Sequence, residues 1–468
     1  MHNNFESLAE QTSQPQKDNK SNGGCGQGQM YILIRFALVF VVGLLLLIPV
    51  FLLQTVVYER NTLYDSTIAE IESGWGERQV VVGPILVIPY KLTEESTEHV
   101  QKSNGKYEKV TKVYTRSYTQ LLLPKKLSIN AEMLPEERYL GIYSTTVYSA
   151  PVSLSGEFEI PENFLNYKNL KEINWDEAKV VCGIPDIRAL RNPELVWGDS
   201  SLALNSGTDV LQELTGMHSG FNAEVALGSE VKRYPFSISL KLMGSQSLGF
   251  TPVGEVTQVR VVSDWTSPNF MGQMLPDERQ VDDSGFSAAW NVSSLNRSYP
   301  QTAEIKSWPR GWDGFVIQTS LTEPVSLYRK VTRAVKYGLL FVGVTFIGFL
   351  AFELASRRRL HYVQYGLVGI SMVLFFLTLL ALAEHISFVA AYTLASIVVI
   401  GMIASYIGAA FRSLRHGAIM AFLLAILYVT LYILLQLEDY ALLMGTAIIL
   451  IMAGVLMFVT RRINQVQP

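Results

Sequence analysis

Apolar residues crowd into one run near the start of the chain and five near its end, and between the two groups they alternate with polar residues. The first run, Tyr31 to Leu53, carries one charge, Arg35, near its start, and is longer than the roughly 20 residues a helix needs to cross a bilayer. A cleaved signal peptide has an apolar core of only about 7 to 15 residues followed by a small-residue cleavage site. Here Gln54-Thr55-Val56-Val57-Tyr58-Glu59-Arg60 follows instead, which predicts a retained anchor. Cys25 precedes the apolar segment, so a lipoprotein anchor is excluded.

The later runs, Val335 to Leu354, Tyr365 to Ala383, Phe388 to Ala410, Ala418 to Leu437 and Ala441 to Val459, predict five more spans. Their connections alternate in charge: Arg357-Arg358-Arg359, Glu384-His385, Arg412 with Arg415, Glu438-Asp439, then Arg461-Arg462. Basic residues favour short cytoplasmic loops, so this alternation puts both termini in the cytoplasm and the stretch between the first two spans outside. Small residues four apart in the fourth span, at Ala391 and Ala395, Gly401 and Ser405, and Ala404 and Gly408, predict close helix packing there.

The central stretch follows a period of two. Phe236 to Leu242 alternates strictly and Val256 to Val262 repeats the pattern, which predicts half-buried strands. Gly244, Gly249, Pro252 and Gly254 punctuate the gap between them as a hairpin connection would. Val80 to Pro89 reads as strand, turn, strand around Gly83-Pro84. Further strands are expected over Lys112 to Leu123, Tyr139 to Tyr148 and Val152 to Ile160, with a short helix over Asp186 to Arg191. The fold class is therefore a membrane protein of the α plus β kind. Six transmembrane helices carry a large extracytoplasmic, mainly antiparallel, sandwich-like β domain inserted between helices 1 and 2. The expected divisions are a disordered cytoplasmic tail over 1–30, the first transmembrane helix over 31–57, the β domain over 58–333, a five-helix bundle over 334–460 and a cytoplasmic end over 461–468.

Composition agrees with this reading and narrows the function. Charged residues make up 17% of the chain and apolar ones 49%, and the net charge is only −3, which excludes a globally basic nucleic-acid binder. The two cysteines fall on opposite sides of the predicted membrane and cannot pair within the chain. No nucleophile elbow, zinc-protease or P-loop motif is present, and the six histidines are scattered at His2, His99, His218, His361, His385 and His416. Neither a catalytic site, a cofactor nor a metal is expected.

Several segments together resemble the CreD family of bacterial inner-membrane proteins. They are Val82-Gly83-Pro84 with Ile88-Pro89, the stretch from Trp265 to Trp290, and Glu323-Pro324-Val325-Ser326-Leu327-Tyr328-Arg329 leading into Arg333 to Gly338. Gln364-Tyr365, Glu384-His385-Ile386, Ala391-Tyr392 and Leu434 to Leu443 continue the likeness. The resemblance implies a cell envelope integrity protein linked to envelope stress and the β-lactam response, with no established catalytic activity.

Three groups of residues are candidates for function. Glu384, His385, Glu438 and Asp439 share the predicted outer face with Arg329, Arg333 and Lys336, and could form a charged seat where the β domain docks on the bundle. Glu353 is either a possible intramembrane acid or one half of an i, i+4 pair with Arg357. Trp265, Phe270, Arg279, Phe286 and Trp290 are either turn and core residues or a recognition surface. The expected function is binding or sensing of an envelope lipid, glycan or protein by the external domain. The alternative is a transporter or channel with Glu353, Glu384, His385 and Glu438 along its path. The expected partners are the bilayer and that envelope component, with no nucleic acid.

Overall fold

The computed structural model describes residues 37–101, 107–162, 164–208, 211–228, 233–321, 327–356 and 361–436, with isolated positions between 443 and 457. The tail over 1–30, Arg357 to Arg359, Glu438, Asp439 and most of the sixth predicted span lie outside the described residues. The chain divides into two compact units, one of residues 1–60 with 326–468 and one of residues 61–325.

The helical unit holds the apolar runs. Four described helices are long and apolar enough to cross a membrane, Ala37–Trp75, Tyr362–Ala383, Phe388–Ala410 and Leu414–Gln436. A fifth span is counted if Tyr328–Gly338 and Leu340–Phe349, bent by 42°, are taken as one. These helices leave large apolar side chains outside, among them Val363, Leu374, Ile397, Val398, Phe422 and Val429. Such a surface suits lipid and not water. The first helix does not stop at residue 57 but runs on to Trp75, so its last turns belong to the other unit. In Phe388–Ala410, Ala391 and Ala395 are fully buried, whereas Gly401 and Ser405 face outward. At the turn into the next helix, a Cβ on Gly417 would lie 2.8 Å from the Ala404 carbonyl oxygen, so only glycine permits that approach.

The β unit contains two sheets around one apolar core. The eight-stranded sheet runs Glu278–Asp282, Gly285–Ser293, Val256–Ser263, Lys126–Leu140, Tyr143–Glu159, Arg233–Ser245, Leu190–Trp197 and Ser200–Leu202. The other has ten strands, with Asn269–Gly272, Ile317–Ser320, Ser247–Thr251, Gln79–Gln101, Lys179–Gly183, Gly220–Glu224 and Asn205–Ser206 in order. Side chains from both sheets, such as Leu154, Ile238 and Val259 from one and Ile85, Val181 and Phe250 from the other, belong to a single buried cluster. Alternation explains this, because every second residue of a strand points to the same face. Arg233–Ser245 buries alternate residues along nearly its whole length.

The sheets are mixed. Val256–Ser263 pairs in parallel with Lys126–Leu140, and Gln79–Val82 pairs in parallel with Leu248–Thr251. The gap between the two alternating strands is not a hairpin, because it contains Ser247–Thr251, which crosses into the other sheet. Nor does Gly83-Pro84 end a strand: Gln79–Gln101 is continuous, and its register against Lys179–Gly183 shifts between Val82 and Ile85. Gly83 takes a φ of 120°, and a Cβ there would lie 2.8 Å from the Val181 carbonyl oxygen. Beyond that shift the strand pairs with Tyr107–Leu122 from Leu86 to Gln101. The helix expected over Asp186 to Arg191 is one 3-10 turn, Ile187–Ala189, with the Asp186 carboxylate accepting from the Arg188 amide at its start. Cys182 is fully buried in the core, and burial pushes its thiol up to about 12.

Candidate functional site

Two acids of the helical unit sit at opposite ends of one antiparallel helix pair, each bonded to a tyrosine of the other helix. Glu353 lies near the end of Leu327–Ser356, and its Oε2 accepts from the Tyr365 hydroxyl at 2.8 Å, close to the start of Tyr362–Ala383. Glu384 caps the far end of that second helix, and its Oε1 accepts from the Tyr328 hydroxyl at 3.0 Å, in the first turn of the first. Nineteen residues separate Tyr365 from Glu384 in sequence, so at about 1.5 Å of rise per residue the two bonds are roughly 28 Å apart, close to the depth of the hydrocarbon layer.

The Glu384 end gathers more chemistry. Arg60 Nε lies 3.8 Å from Glu384 Oε1, and the acid's side chain is 9% exposed against 47% for the arginine. Three helices therefore meet on one carboxylate. The Lys330 ammonium lies 5.7 Å from the Phe388 ring centroid, which adds a cation–π contact from the next helix along. At the other end Glu353 is buried, and the Phe346 and Phe349 rings pack on Tyr365 at 5.7 and 6.2 Å.

Placement of the expected seat differs from the sequence reading. Arg329, Arg333 and Lys336 fall within Leu327–Ser356 and the helical unit, outside the β unit, because Tyr328, Val331, Ala334 and Val335 continue a buried helical stripe through them. His385 is exposed beside Glu384. Arg357, the expected partner of Glu353, lies outside the described residues. Tyr328, Tyr365 and Arg60 are the partners that sequence reasoning missed. The two tyrosines stood inside segments used for the family likeness, but a tyrosine in a span gives no sign of its acid until the helices are paired.

The aromatic stretch of the β unit is mostly core. Phe286 and Trp290 are 5% and 3% exposed, and Phe270 packs edge-on against both at 5.7 and 5.9 Å. The Trp290 indole donates to the Met274 carbonyl at 3.3 Å and that of Trp265 to the Ser267 carbonyl at 2.9 Å, which ties the loop together. Of the five residues only Arg279 is exposed. The strand Gly285–Ser293 turns Phe286 and Trp290 inward, while Trp265 and Phe270 are half-buried. Among the described residues no group of His, Cys, Asp and Glu is arranged to hold a metal.

Known proteins resemble this chain over most of its length. The family model described as "Inner membrane protein CreD" matches residues 31–466. The inner membrane protein CreD of Escherichia coli strain K12 is 31% identical over 425 residues, covering 90% of this chain and 91% of that one. A crystal structure from Legionella pneumophila, described as a nutrient binding protein, overlaps 48% of this chain and 77% of its own at a TM-score of 0.23 and 7% identity. At that score the likeness assigns neither fold nor function.

Proposed function

The chain belongs to the CreD family of inner membrane proteins, and from that premise we propose that it supports the barrier of the cell envelope. In this reading the β unit lies outside the cytoplasm and binds an envelope component, while the helices hold it at the membrane. The role is binding and coupling, without catalysis, and it extends to envelope stress and the response to β-lactams.

The observation that carries the reading is the division of labour within the chain. One unit presents apolar side chains to its surroundings, and the other is a large two-sheet domain with its own core. An anchor alone would not need so large a second unit. Glu384, where Arg60, Tyr328 and the end of Tyr362–Ala383 meet, is the joint through which the helices would respond.

Envelope permeability tests this. Cells lacking the chain are expected to admit a normally excluded dye and to change in β-lactam sensitivity, and the wild-type chain restores both. Glu384→Gln at matched membrane abundance keeps an acceptor for Tyr328 but removes the charge facing Arg60, and is expected to restore only part. An intact barrier in cells lacking the chain refutes the envelope role, and full rescue by Glu384→Gln removes the charge from it.

One observation favours a second reading, transport. Glu353 and Glu384 mark the two ends of one helix pair, and ionisable residues within spans often lie along ion or substrate paths. Flux through the purified chain in liposomes, lost in Glu353→Gln, would favour it.

A further inference from the structure

The outer face of the eight-stranded sheet breaks the local rule for strands. Register brings Arg260, Asn130, Ser153 and Ser239 into one row across four neighbouring strands. The next row on the same face is Gln258, Ser128, Ser155 and Ser237. Serine and asparagine are poor strand formers, yet here they fill six adjoining positions in the middle of a sheet. Their inward neighbours, Ile129, Val152, Leu154, Ile238, Val259 and Val261, are what a strand prefers. Violations of local preference gathered at one place mark a surface kept for something other than stability.

A shallow groove of about 570 Å³ lies on this face, with Ser153 and Ser239 as its small-residue floor and Asn130, Glu132 and Arg260 along it. Ala131, Pro151, Val152, Leu240 and Val262 supply apolar atoms to its lining. Glu132 stands one register step diagonally from Arg260, since it pairs with Val262. Neither forms an ion pair among the described residues, and none of the eight side chains in the two rows has a side-chain hydrogen bond among them. By contrast, charges at the end of the same strands are paired, as Lys126 with Glu157 at 3.2 Å, Arg233 with Glu159 at 3.4 Å and Lys125 with Glu255 at 2.8 Å.

The chemistry of the groove selects among ligands. An acyl chain or an apolar protein face laid over the groove would strip water from the Arg260 guanidinium and the Glu132 carboxylate and give neither a partner. A polyphosphate or nucleic acid needs several clustered cations, and the groove has one, with an acid beside it. A hydroxyl-rich neutral polymer fits. Planar guanidinium, carboxylate and amide groups each offer two donors or acceptors at a spacing that matches adjacent hydroxyls, and Arg260, Glu132 and Asn130 provide one of each. We propose that this groove binds an uncharged, hydroxyl-rich glycan strand. The proposal rests on the envelope reading above and names the class of component bound.

The test uses the full chain in lipid nanodiscs, with no sugar-headed detergent to compete, titrated calorimetrically with the tetramer of β-1,4-linked N-acetylglucosamine. Saturable binding is expected. Arg260→Ala is expected to weaken it about tenfold or more, the loss of one charge-assisted contact pair. The pair Ser153→Tyr and Ser239→Tyr is expected to abolish it while leaving the thermal transition unchanged or higher, because tyrosine suits a strand and fills the groove. No saturation by the wild-type chain up to about 10 mM, or equal affinity in both variants, overturns the proposal. So does a wild-type oligomer that the tyrosine pair dissolves without any sugar binding, which would give the face to a second copy of the chain. The titration decides the glycan and the permeability assay decides the envelope role, so one can fail while the other stands.

Discussion

Phe158→Ala is expected to cost the β unit about 3–5 kcal/mol, the range for truncating a fully buried phenylalanine in a core that cannot collapse. Phe158 has no exposed surface, and its ring lies 5.1 Å from Phe236 and 5.7 Å from Trp197. It stands on Tyr143–Glu159, which is flanked on both sides by paired strands, so neither neighbour can shift inward without breaking a ladder. Gly156, two residues before it, is already as tight as the backbone allows: a Cβ there would lie 2.0 Å from the Lys126 carbonyl oxygen. The cavity therefore stays open. Urea unfolding of the full chain, followed by tryptophan fluorescence that includes the adjacent Trp197, checks this. A loss under about 1 kcal/mol would mean that the two sheets relax into the space and do not form a rigid common core.

The second large effect is expected in the helical unit. Tyr365→Phe removes the hydroxyl that donates to Glu353 and leaves the buried carboxyl without that bond, at a cost of about 1–3 kcal/mol. Replacing both partners by apolar groups is far less costly than removing one. Tyr365→Phe with Glu353→Leu is therefore expected to recover most of what the single change loses, a coupling that a double-mutant cycle reads directly. Unfolding of the reconstituted chain in dodecyl sulfate, followed by helical circular dichroism, supplies the four values. Simple addition of the two single costs would show that the bond does not tie the helices together.

Much of the fold was legible because burial imposes a period. Phe236 to Leu242 alternates because one face of that strand meets the core, and the observed strand extends the pattern to Arg233 and Ser245. The apolar runs were legible for the same reason at greater length. Partnering was not. Gly244 to Gly254 looks like a hairpin connection, but the chain there visits the other sheet before it returns, and no local residue records that excursion. Gly83-Pro84 looks like a turn, yet pairing before and after it keeps the chain in one strand through a register shift. Aromatic density between Trp265 and Trp290 left core and surface open, and the inward phase of one strand puts Phe286 and Trp290 in the core. Glu384 was visible as an acid at a span end. Its contacts to Tyr328, 56 residues away, and to Arg60, on the first helix, depend on packing that sequence spacing does not encode. The serine rows were invisible for a related reason: they are scattered along four strands, and only register makes them neighbours.

The envelope role depends above all on which side of the membrane the β unit occupies. Leu295 is 93% exposed on that unit, and Leu414 is 91% exposed at the head of Leu414–Gln436, where Arg412 and Arg415 predict a cytoplasmic turn. Cysteines introduced singly as Leu295→Cys and Leu414→Cys, in a chain carrying Cys25→Ser, can be challenged with a membrane-impermeant maleimide. Cys182 stays silent because it is buried and its thiol is pushed up to about 12. In cells with a permeabilised outer membrane and an intact inner one, Leu295→Cys is expected to label fully and Leu414→Cys only after lysis. Labelling of Leu414→Cys before lysis, with Leu295→Cys protected, would place the β unit in the cytoplasm and contradict the envelope role.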